Sequence, residues 1–448
     1  MKITAAFPDL KLLFIFLLTV ILTAACQTDE EARWWRGNMH THTFWSDGDD
    51  FPEPVAGWYK ENGYNFLVFT DHNILLETPV TGPVRAGHRL IDQELWQAFS
   101  GDHPALEKYV NLFGDENVDI RKDEEGNTLV RLKPLAEFRD EFEQHGEFLL
   151  IMGNEITDQQ AVHLVAAYQD EVIPTVGGKP GERAAMMDEI VRRVDEYRER
   201  SGRNTWAVLA HPNFRWAITA EKMLEVDNLR FFEVYNGHPS VYNEGDEYRA
   251  STERMWDIVL SMRLAGGNTN LLYGVATDDT HRYHGSGATP GRGWVMVRST
   301  ELTPGALLDA MDRGDFYSST GVALNDVRFD GKRIEVDIEP VEGVTYTTEF
   351  IGTLSGSDMT SHPSVDGEGN EIENTTRVYS DDIGKVLAAT NELSSGYTLT
   401  GEELYVRVKI TSSADQLDRI TGEVIGKQAA WTQPVAPGLV RVPGRYLD

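Results

Sequence analysis

The chain has 448 residues, of which 41% are hydrophobic, so it can bury a large core and is long enough for two or three domains. Its 41 basic and 72 acidic side chains give a formal net charge of −31. This charge repels a phosphate backbone and excludes nucleic acid as an extended partner. A small phosphate ester is compatible with it, because bound metal cations reverse the local field.

Residues 1–26 have the pattern of an export signal, in which lysines precede an apolar run at residues 12–25 that ends in small side chains. The run is shorter than the roughly 20 residues that span a bilayer, which favours a cleaved segment. It leads into Cys26, the only cysteine, in "LTAAC", which resembles a bacterial lipobox. Because Gln27 and not aspartate follows, we expect a lipid anchor on Cys26 in the outer membrane, facing the periplasm or the cell surface. The alternative is cleavage nearby that leaves Cys26 a free thiol; an intrachain disulfide is impossible in either case.

Between residues 34 and 325, short apolar runs alternate with helical patterns, which is typical of a parallel sheet built from βα units. Residues 183–200, for example, repeat apolar side chains at helical spacing. Seven or eight such units in one domain favour a barrel over an open sheet. The predicted strands are "RGNMHTHT", "NFLVFTDH", "FLLIMGNE", "HLVAAY", "TWAVLAHP", "RFFEVYN", "LLYGVATDD" and "GWVMVRS".

Two regions depart from this alternation. Residues 79–133 read as an insertion, with the position of a lid. Residues 326–448 contain short alternating strands separated by Gly, Asp and Ser, which predicts an accessory domain that is an antiparallel β-sandwich. The sequence thus predicts a signal segment, a barrel with an insertion, and a sandwich.

Residues able to bind a metal follow nearly every predicted barrel strand. In "NMHTHTFWSDG", His40 and His42 share one face of a strand, and Asp47 comes in the next loop. Taken singly, each such residue is explained equally well by a strand cap, a core hydrogen bond or a solvated loop. Side chains at the carboxyl ends of barrel strands converge, however, so the set as a whole indicates a metal site. The further members are Asp71, His72, Glu155, His163, His211, Asp278, Asp279 and His281.

The ordered set of HxH, SDG, TDH, strand-end Glu, downstream His, AHP and DxH resembles the polymerase and histidinol phosphatase (PHP) superfamily of metallohydrolases over residues 34–325. The resemblance implies a distorted seven-stranded TIM-like βα barrel and two or three divalent ions of Zn, Mn or Fe. Many members have histidine where this chain has Asp47. The export signal, the sandwich and the stretches "EVYNG" and "GDFYSSTG" look more like a branch that includes carbaryl hydrolases. By resemblance, one metal is held by His40, His42, Glu155 and Asp279, a second by Glu155, His163 and His211, and a third by Asp47, His72 and His281.

The resemblance implies a metal-dependent phosphoesterase that acts on small phosphate esters. A hydroxide shared by the metals would be the nucleophile, because metals lower the pKa of bound water to about 7. Glu155 and Asp279 are then catalytic through the metals, and Arg282 and His284 are candidates for orienting the substrate, with exposed loop residues as the alternative. Two rival functions stay open: a carbamate, amide or carboxyl-ester hydrolase with the same metals, and a non-enzymatic metal- or ligand-binding surface lipoprotein.

Some further residues carry weaker signals. The glycine-rich loop 285–293 could bring backbone amides to a phosphate, but it lacks the Lys-Ser/Thr ending of a P-loop, and we expect a plain connection. Asn236 and residues 318–320 are candidates for lining the pocket. The oligomeric state is not predicted. Histidines outside the ordered set are expected to be surface or structural residues: His88, His103, His145, His238 and His362.

Overall fold

The computed structural model describes residues 32–85, 87–179, 181–438, 440–442 and 445–447. The predicted export signal and Cys26 lie outside the described residues. The helices are α1 (Pro52–Glu61), α2 (Pro104–Phe113), α3 (Leu135–Phe142), α4 (Arg183–Ser201), α5 (Ala220–Leu224), α6 (Thr252–Ala265) and α7 (Pro304–Asp312). The first twelve strands are β1 (Arg33–Asn38), β2 (Phe66–Phe69), β3 (His88–Ile91), β4 (Glu94–Phe99), β5 (Ile120–Lys122), β6 (Thr128–Arg131), β7 (Leu149–Thr157), β8 (His163–Ala167), β9 (Ala207–Leu209), β10 (Phe231–Asn236), β11 (Tyr273–Thr277) and β12 (Trp294–Ser299). The others are β13 (Phe316–Ser319), β14 (Leu324–Phe329), β15 (Arg333–Ile338), β16 (Tyr346–Leu354), β17 (Ser361–His362), β18 (Val378–Tyr379), β19 (Lys385–Thr390), β20 (Ser394–Thr398), β21 (Glu403–Leu417), β22 (Val424–Thr432), β23 (Val440–Val442) and β24 (Arg445–Leu447).

The helix ends follow from local sequence. The hydroxyl of Ser251 accepts a hydrogen bond from the backbone N–H of Arg254 at 3.1 Å and so caps the start of α6. The long helix α4 ends at Gly202, whose φ of 71° closes the last turn in the left-handed region that glycine tolerates. Both helices bury their apolar residues against the large sheet, as the helical spacing predicts.

The fold is mixed α/β, built on a sheet of thirteen strands in the order β11-β10-β9-β8-β7-β2-β1-β12-β13-β22-β21-β16-β19. Parallel ladders join β1, β2 and β7, and also β9, β10 and β11. The expected parallel pairing is wrong at β8 and at β12, each of which is antiparallel to both of its neighbours. Only residues 158–162 connect β7 to β8, and a parallel crossover needs a dozen residues or more.

A closed barrel is not detected, since no ladder among the described residues joins β11 to β12 or β13. Side chains form hydrogen bonds with the backbone groups that such a ladder would pair. Gly274 of β11 donates its N–H to Gln433 Oε1, and its carbonyl accepts from Ser318 Oγ, each at 2.9 Å. The strands therefore approach one another here through side chains, without backbone pairing.

The C-terminal strands are antiparallel, as predicted, but they continue the large sheet through the ladder between β13 and β22. The three-stranded sheet β14-β15-β20 shares a buried core with them. An independent β-sandwich is therefore not confirmed. Arg407 of β21 makes a buried bidentate ion pair with Asp257 of α6, at 2.8 and 2.7 Å, which ties these strands to the rest of the chain.

The region predicted as an insertion contains a separate antiparallel sheet, β3-β4-β6-β5, together with α2. Leu95, Tyr109 and Val130 bury this sheet and helix against Phe51 and its neighbours. Within the described part of the chain, no helix combines the length and apolar character needed to cross a membrane.

Candidate metal centre

The carboxyl ends of β1, β2, β7, β9 and β11 meet at one place. Isolated parallel bridges link Thr41 to Thr280 and His72 to Glu155 just beyond the regular ladders. His40 and His42 lie on either side of Thr41, and their rings are 5.1 Å apart between centroids. The alternation predicted for this stretch therefore brings both imidazoles into the same buried space.

Four buried atoms at the centre of this space point at one another without a hydrogen-bond partner among the described residues: His40 Nε2, His42 Nε2, Glu155 Oε2 and Asp279 Oδ1. The histidine nitrogens lie 3.3 and 3.2 Å from the Asp279 oxygen, and each lies 3.5 Å from the Glu155 oxygen. Buried polar atoms left unpaired cost free energy, and a cation among them removes that cost. Imidazole nitrogens and carboxylate oxygens are also the donors that Zn, Mn and Fe accept, so these residues fit a divalent metal.

Two further groups of ligand atoms adjoin the first. Glu155 Oε1 lies 2.8 Å from His163 Nδ1 and 3.1 Å from His211 Nε2. Asp47 Oδ1 lies 3.3 Å from the Nε2 atoms of both His72 and His281. The structure thus brings together all nine ligands that the resemblance implies, in groups whose atoms lie within 4.8 Å of one another, whereas Asp71 and Asp278 belong to none of the groups. The groups are His40, His42 and Glu155; His40, His211 and Asp279; Glu155, His163 and His211; and His42, Asp47, His72 and His281.

Burial disfavours every charge in this cluster, but the charges compensate one another. The pKa of Glu155 lies well below its usual range because the imidazoles of His72, His163 and His40 outweigh the burial. Against the same burial, Glu155 and Asp47 raise the pKa of His72 to about 9. Burial and the neighbouring His281 and His72 instead lower the pKa of His42 well below 6.5. His42 is therefore neutral at pH 7, which is the form that binds a metal.

Glu233 is a supporting residue that the sequence analysis did not single out. It is fully buried, and its Oε1 accepts from His40 Nδ1 and from Thr277 Oγ1, each at 2.7 Å. Its Oε2 accepts from the backbone N–H of His211 at 2.6 Å and from Asn236 Nδ2 at 2.7 Å. Because a carboxylate oxygen only accepts, Glu233 fixes a proton on His40 Nδ1 and leaves Nε2 as the ring nitrogen that can bind a metal. The feature of the sequence that could have identified Glu233 is a carboxylate inside the apolar run "FFEVYN".

Asp71 and Asp278 hold the backbone around the cluster. Asp71 accepts from the N–H of Thr43 at 2.8 Å and from Ser46 Oγ at 2.6 Å, which fixes the loop that carries Asp47. Asp278 accepts from the backbone amides of residues 291–293, at 2.9, 2.6 and 2.8 Å. These amides of the glycine-rich loop are already bonded within the protein, so they do not offer a phosphate cradle.

Two residues of the cluster have positive φ angles, 29° at His211 and 49° at Asp279. Such backbone conformations cost about 1–3 kcal/mol in residues other than glycine and persist where surrounding contacts impose them. At His211 the contact is the hydrogen bond from its N–H to Glu233. The position of the ligands is thus imposed by the framework behind them.

The cluster opens into a cavity of about 490 Å³. Arg85, Phe214, Arg215 and His238 line it together with the outer ligands and with residues 157, 158, 160 and 161. Arg85 is paired with Asp47 at 2.7 Å, whereas exposed Arg215 has no carboxylate partner within the described chain. The cavity therefore presents cationic and hydrogen-bond-donating groups around the candidate metals.

The two residues proposed to orient a substrate lie elsewhere. Arg282 is half exposed, with Nη1 3.8 Å from Asp49 Oδ2. His284 Nε2 lies 3.2 Å from Asp50 Oδ2, a carboxylate that Lys108 also contacts. Neither residue lines the cavity at the cluster. The structure thus gives Arg282 and His284 contacts that hold the loop 281–284 to residues 49–50.

The remaining residues with weaker sequence signals either contact a candidate ligand or hold the sheet and helices together. Asn236 donates from Nδ2 to Asp279 Oδ2 at 3.1 Å, so it supports a ligand. Ser318 bonds to Gly274 in the sheet. Among the histidines outside the ordered set, His103 caps α2 and His145 is exposed, as expected. His238 differs from that expectation, because it lines the cavity.

No family model matches the chain, and no curated protein matches it either. Among solved structures, the chain is similar to a two-domain protein from Bacteroides vulgatus that contains a predicted PHP-like metal-dependent phosphoesterase. The identity is 13% and the TM-score is 0.37, over 90% of this chain and 96% of that one.

Proposed function

We propose that the chain is a PHP-type metal-dependent hydrolase that acts on small phosphate esters. The observation that carries the proposal is the set of four unpartnered buried atoms, on His40, His42, Glu155 and Asp279, that face one another at the base of an open cavity. A structural histidine cluster would be expected to satisfy its polar atoms internally, whereas these four make no hydrogen bond of good geometry among the described residues, although His72 Nδ1 approaches Glu155 Oε2 to 2.6 Å. As parts of the same proposal we retain a TIM-like barrel over residues 34–325, an accessory sandwich over residues 326–448, and anchoring through Cys26.

Divalent ions bound here would supply Lewis-acid charge and a water of lowered pKa, so that no serine or cysteine nucleophile is required. The chain's own residues do the positioning. Glu155 belongs to two of the ligand groups and couples them through its two oxygens. Glu233 fixes the orientation of His40, and Asp71 fixes the loop of Asp47. A constellation held this rigidly reduces the reorganisation needed when charge develops on a reacting group.

The charge of the cavity favours a phosphate ester over a carbamate or amide. Arg215 lies at the mouth without a carboxylate partner among the described residues, and its guanidinium is 5.1 Å from the centroid of the Phe214 ring. An unpaired guanidinium suits a phosphoryl oxygen, with which arginine makes charge-assisted hydrogen bonds. A neutral carbonyl substrate would not form an ion pair with this guanidinium.

The test is a side-by-side assay of 4-nitrophenyl phosphate and an aryl carbamate with the metal-loaded protein. We expect turnover of the phosphate, and a loss of at least about 100-fold in Glu155→Gln, because one of the two carboxylate oxygens that serve the two ligand groups becomes an amide nitrogen. The matched control is Glu403→Gln, a buried carboxylate in the C-terminal strands that hydrogen-bonds to Tyr397 and Thr400. Rapid cleavage of only the carbamate, or full activity of Glu155→Gln, would overturn the proposal.

A further inference from the structure

A second and larger cavity, of about 840 Å³, lies next to the metal cavity. One side of it is the segment 235–245, which includes the end of β10 and the turn after it, and the other side is the face of β21 and β22. His238 is the lining residue that both cavities share within the described chain. A ligand that occupies both cavities must therefore pass this imidazole.

The ring of His238 is held in one orientation. Its backbone N–H donates to Asn236 Oδ1 at 2.8 Å, and its Nδ1 accepts from the backbone N–H of Ser240 at 3.1 Å. The ring meets those of His281 and Phe214 edge to face, with centroids 5.5 and 6.4 Å away. A backbone N–H only donates, so Nδ1 is the acceptor and the proton of the neutral ring is on Nε2. No described residue hydrogen-bonds to Nε2, which leaves a fixed donor between the two cavities.

We propose that His238 is a substrate-binding residue whose Nε2–H donates a hydrogen bond to a phosphoryl oxygen of the ester, while the alcohol part of the ester extends into the second cavity. The inference rests on the proposed function. It assigns His238 a role in the reaction, and it gives the strands β21 and β22 a role in selecting the substrate.

The lining of the second cavity indicates which alcohol it accepts. Its basic residues are neutralised internally: Lys409 by Glu253 at 2.5 Å, Lys427 by Asp415 at 2.6 Å, and Arg292 by Asp418 at 2.6 Å. Two acidic residues of the lining, Glu244 and Glu423, have no basic partner within the described residues. The unbalanced charge is therefore negative and repels a second anion. Tyr235 and Trp431 stack with centroids 6.1 Å apart in the same lining, which suits an uncharged aromatic or sugar-like group.

The first experiment measures the binding of inorganic phosphate to the metal-loaded protein by titration calorimetry. We expect His238→Ala to weaken binding about 10-fold or more, since a hydrogen bond to a charged group is lost. His238→Gln restores an N–H donor and should stay within about 3-fold of the wild type. Metal content should be unchanged in both variants, and the matched control, the exposed His145→Ala, should bind phosphate normally.

The second experiment compares 4-methylumbelliferyl phosphate with 4-carboxyphenyl phosphate. We expect kcat/KM to favour the neutral alcohol by about 10-fold, because the second cavity carries unbalanced acidic charge. Preference for the carboxylated ester would contradict the placement of the alcohol group.

The two proposals fail in different ways. Wild-type affinity for phosphate in His238→Ala, with the wild type active on aryl phosphates, overturns the role of His238 and leaves the hydrolase intact. A wild-type protein that neither binds phosphate nor cleaves aryl phosphates overturns the proposed function, and the role of His238 with it.

Discussion

Replacing Glu233 by glutamine changes a residue that contacts the candidate ligands His40 and His211 but belongs to none of the groups of ligand atoms. The carboxylate accepts four hydrogen bonds, two at each oxygen, and the donors include the backbone N–H of His211, which cannot become an acceptor. A glutamine side chain has a single oxygen. If that oxygen faces His211, the new NH₂ group faces His40 Nδ1 and drives the proton of His40 to Nε2, the atom that would bind a metal.

If the glutamine oxygen faces His40 instead, the NH₂ group opposes the His211 N–H and leaves two buried donors unpaired. In either orientation we expect metal affinity to fall 10- to 100-fold, which is about 1.4–2.7 kcal/mol. The assay is competition for Zn²⁺ or Mn²⁺ with a chromophoric chelator at pH 7.5, with Glu403→Gln as the remote control. A Kd within about twofold of the wild-type value in a folded Glu233→Gln protein would refute the reasoning.

Three other predictions concern stability. Arg407→Leu leaves the Asp257 carboxylate buried without its cation. The variant should therefore lower the free energy of unfolding by about 3–5 kcal/mol in urea titrations. A change under about 1 kcal/mol would argue against the buried pair. Burial raises the pKa of Glu53 to about 7, so the folded chain holds a proton that the unfolded chain releases near pH 4.5, and stability falls as the pH rises between these values. The free energy of unfolding of Glu53→Gln, relative to that of the wild type, should therefore rise by up to about 3 kcal/mol between pH 4.5 and pH 8, measured by denaturant titration at each pH. A difference between the two proteins that does not change with pH would count against a buried acid at this position. Chelation should lower Tm, because a metal that binds only the folded state stabilises it, and an unchanged Tm in protein shown to have lost metal would be inconsistent with this linkage.

The elements that the sequence identified well are those with strong local signals. All eight strands expected between residues 34 and 325 are present, and α4 occupies the helical stretch predicted at residues 183–200. The convergence of His40 with Glu155 and Asp279, far away along the chain, was also accessible, because carboxyl ends of neighbouring strands meet at one edge of a sheet.

The reversed direction of β8 was missed although the sequence shows its cause. The predicted strands "FLLIMGNE" and "HLVAAY" leave only residues 156–162 between them, too few for a parallel crossover. The other elements that the sequence missed depend on tertiary contacts. The continuation of the large sheet through β13 and β22 pairs residues more than a hundred positions apart, and no local pattern reports such pairing. Arg282 and His284 were assigned to the site because they follow the candidate ligand His281 in sequence. Only the tertiary structure shows that their side chains turn to Asp49 and Asp50.

Glu233 and His238 show the opposite case, because both lie at the candidate site but carry little sequence signal. A carboxylate in an apolar strand is informative only when its buried partners are known, and His238 lies outside the ordered set of ligand motifs. The fold brings His238 to the cavity because the chain turns immediately after β10, where its N–H bonds to Asn236.

The most direct test of the central claim is an anomalous-difference map from crystals of the protein loaded with Zn²⁺ or Mn²⁺. We expect two or three peaks, each within bonding distance of one group of ligand atoms around Glu155, Asp47 or Asp279. Crystals of the loaded protein with no anomalous peak among these side chains would contradict the account.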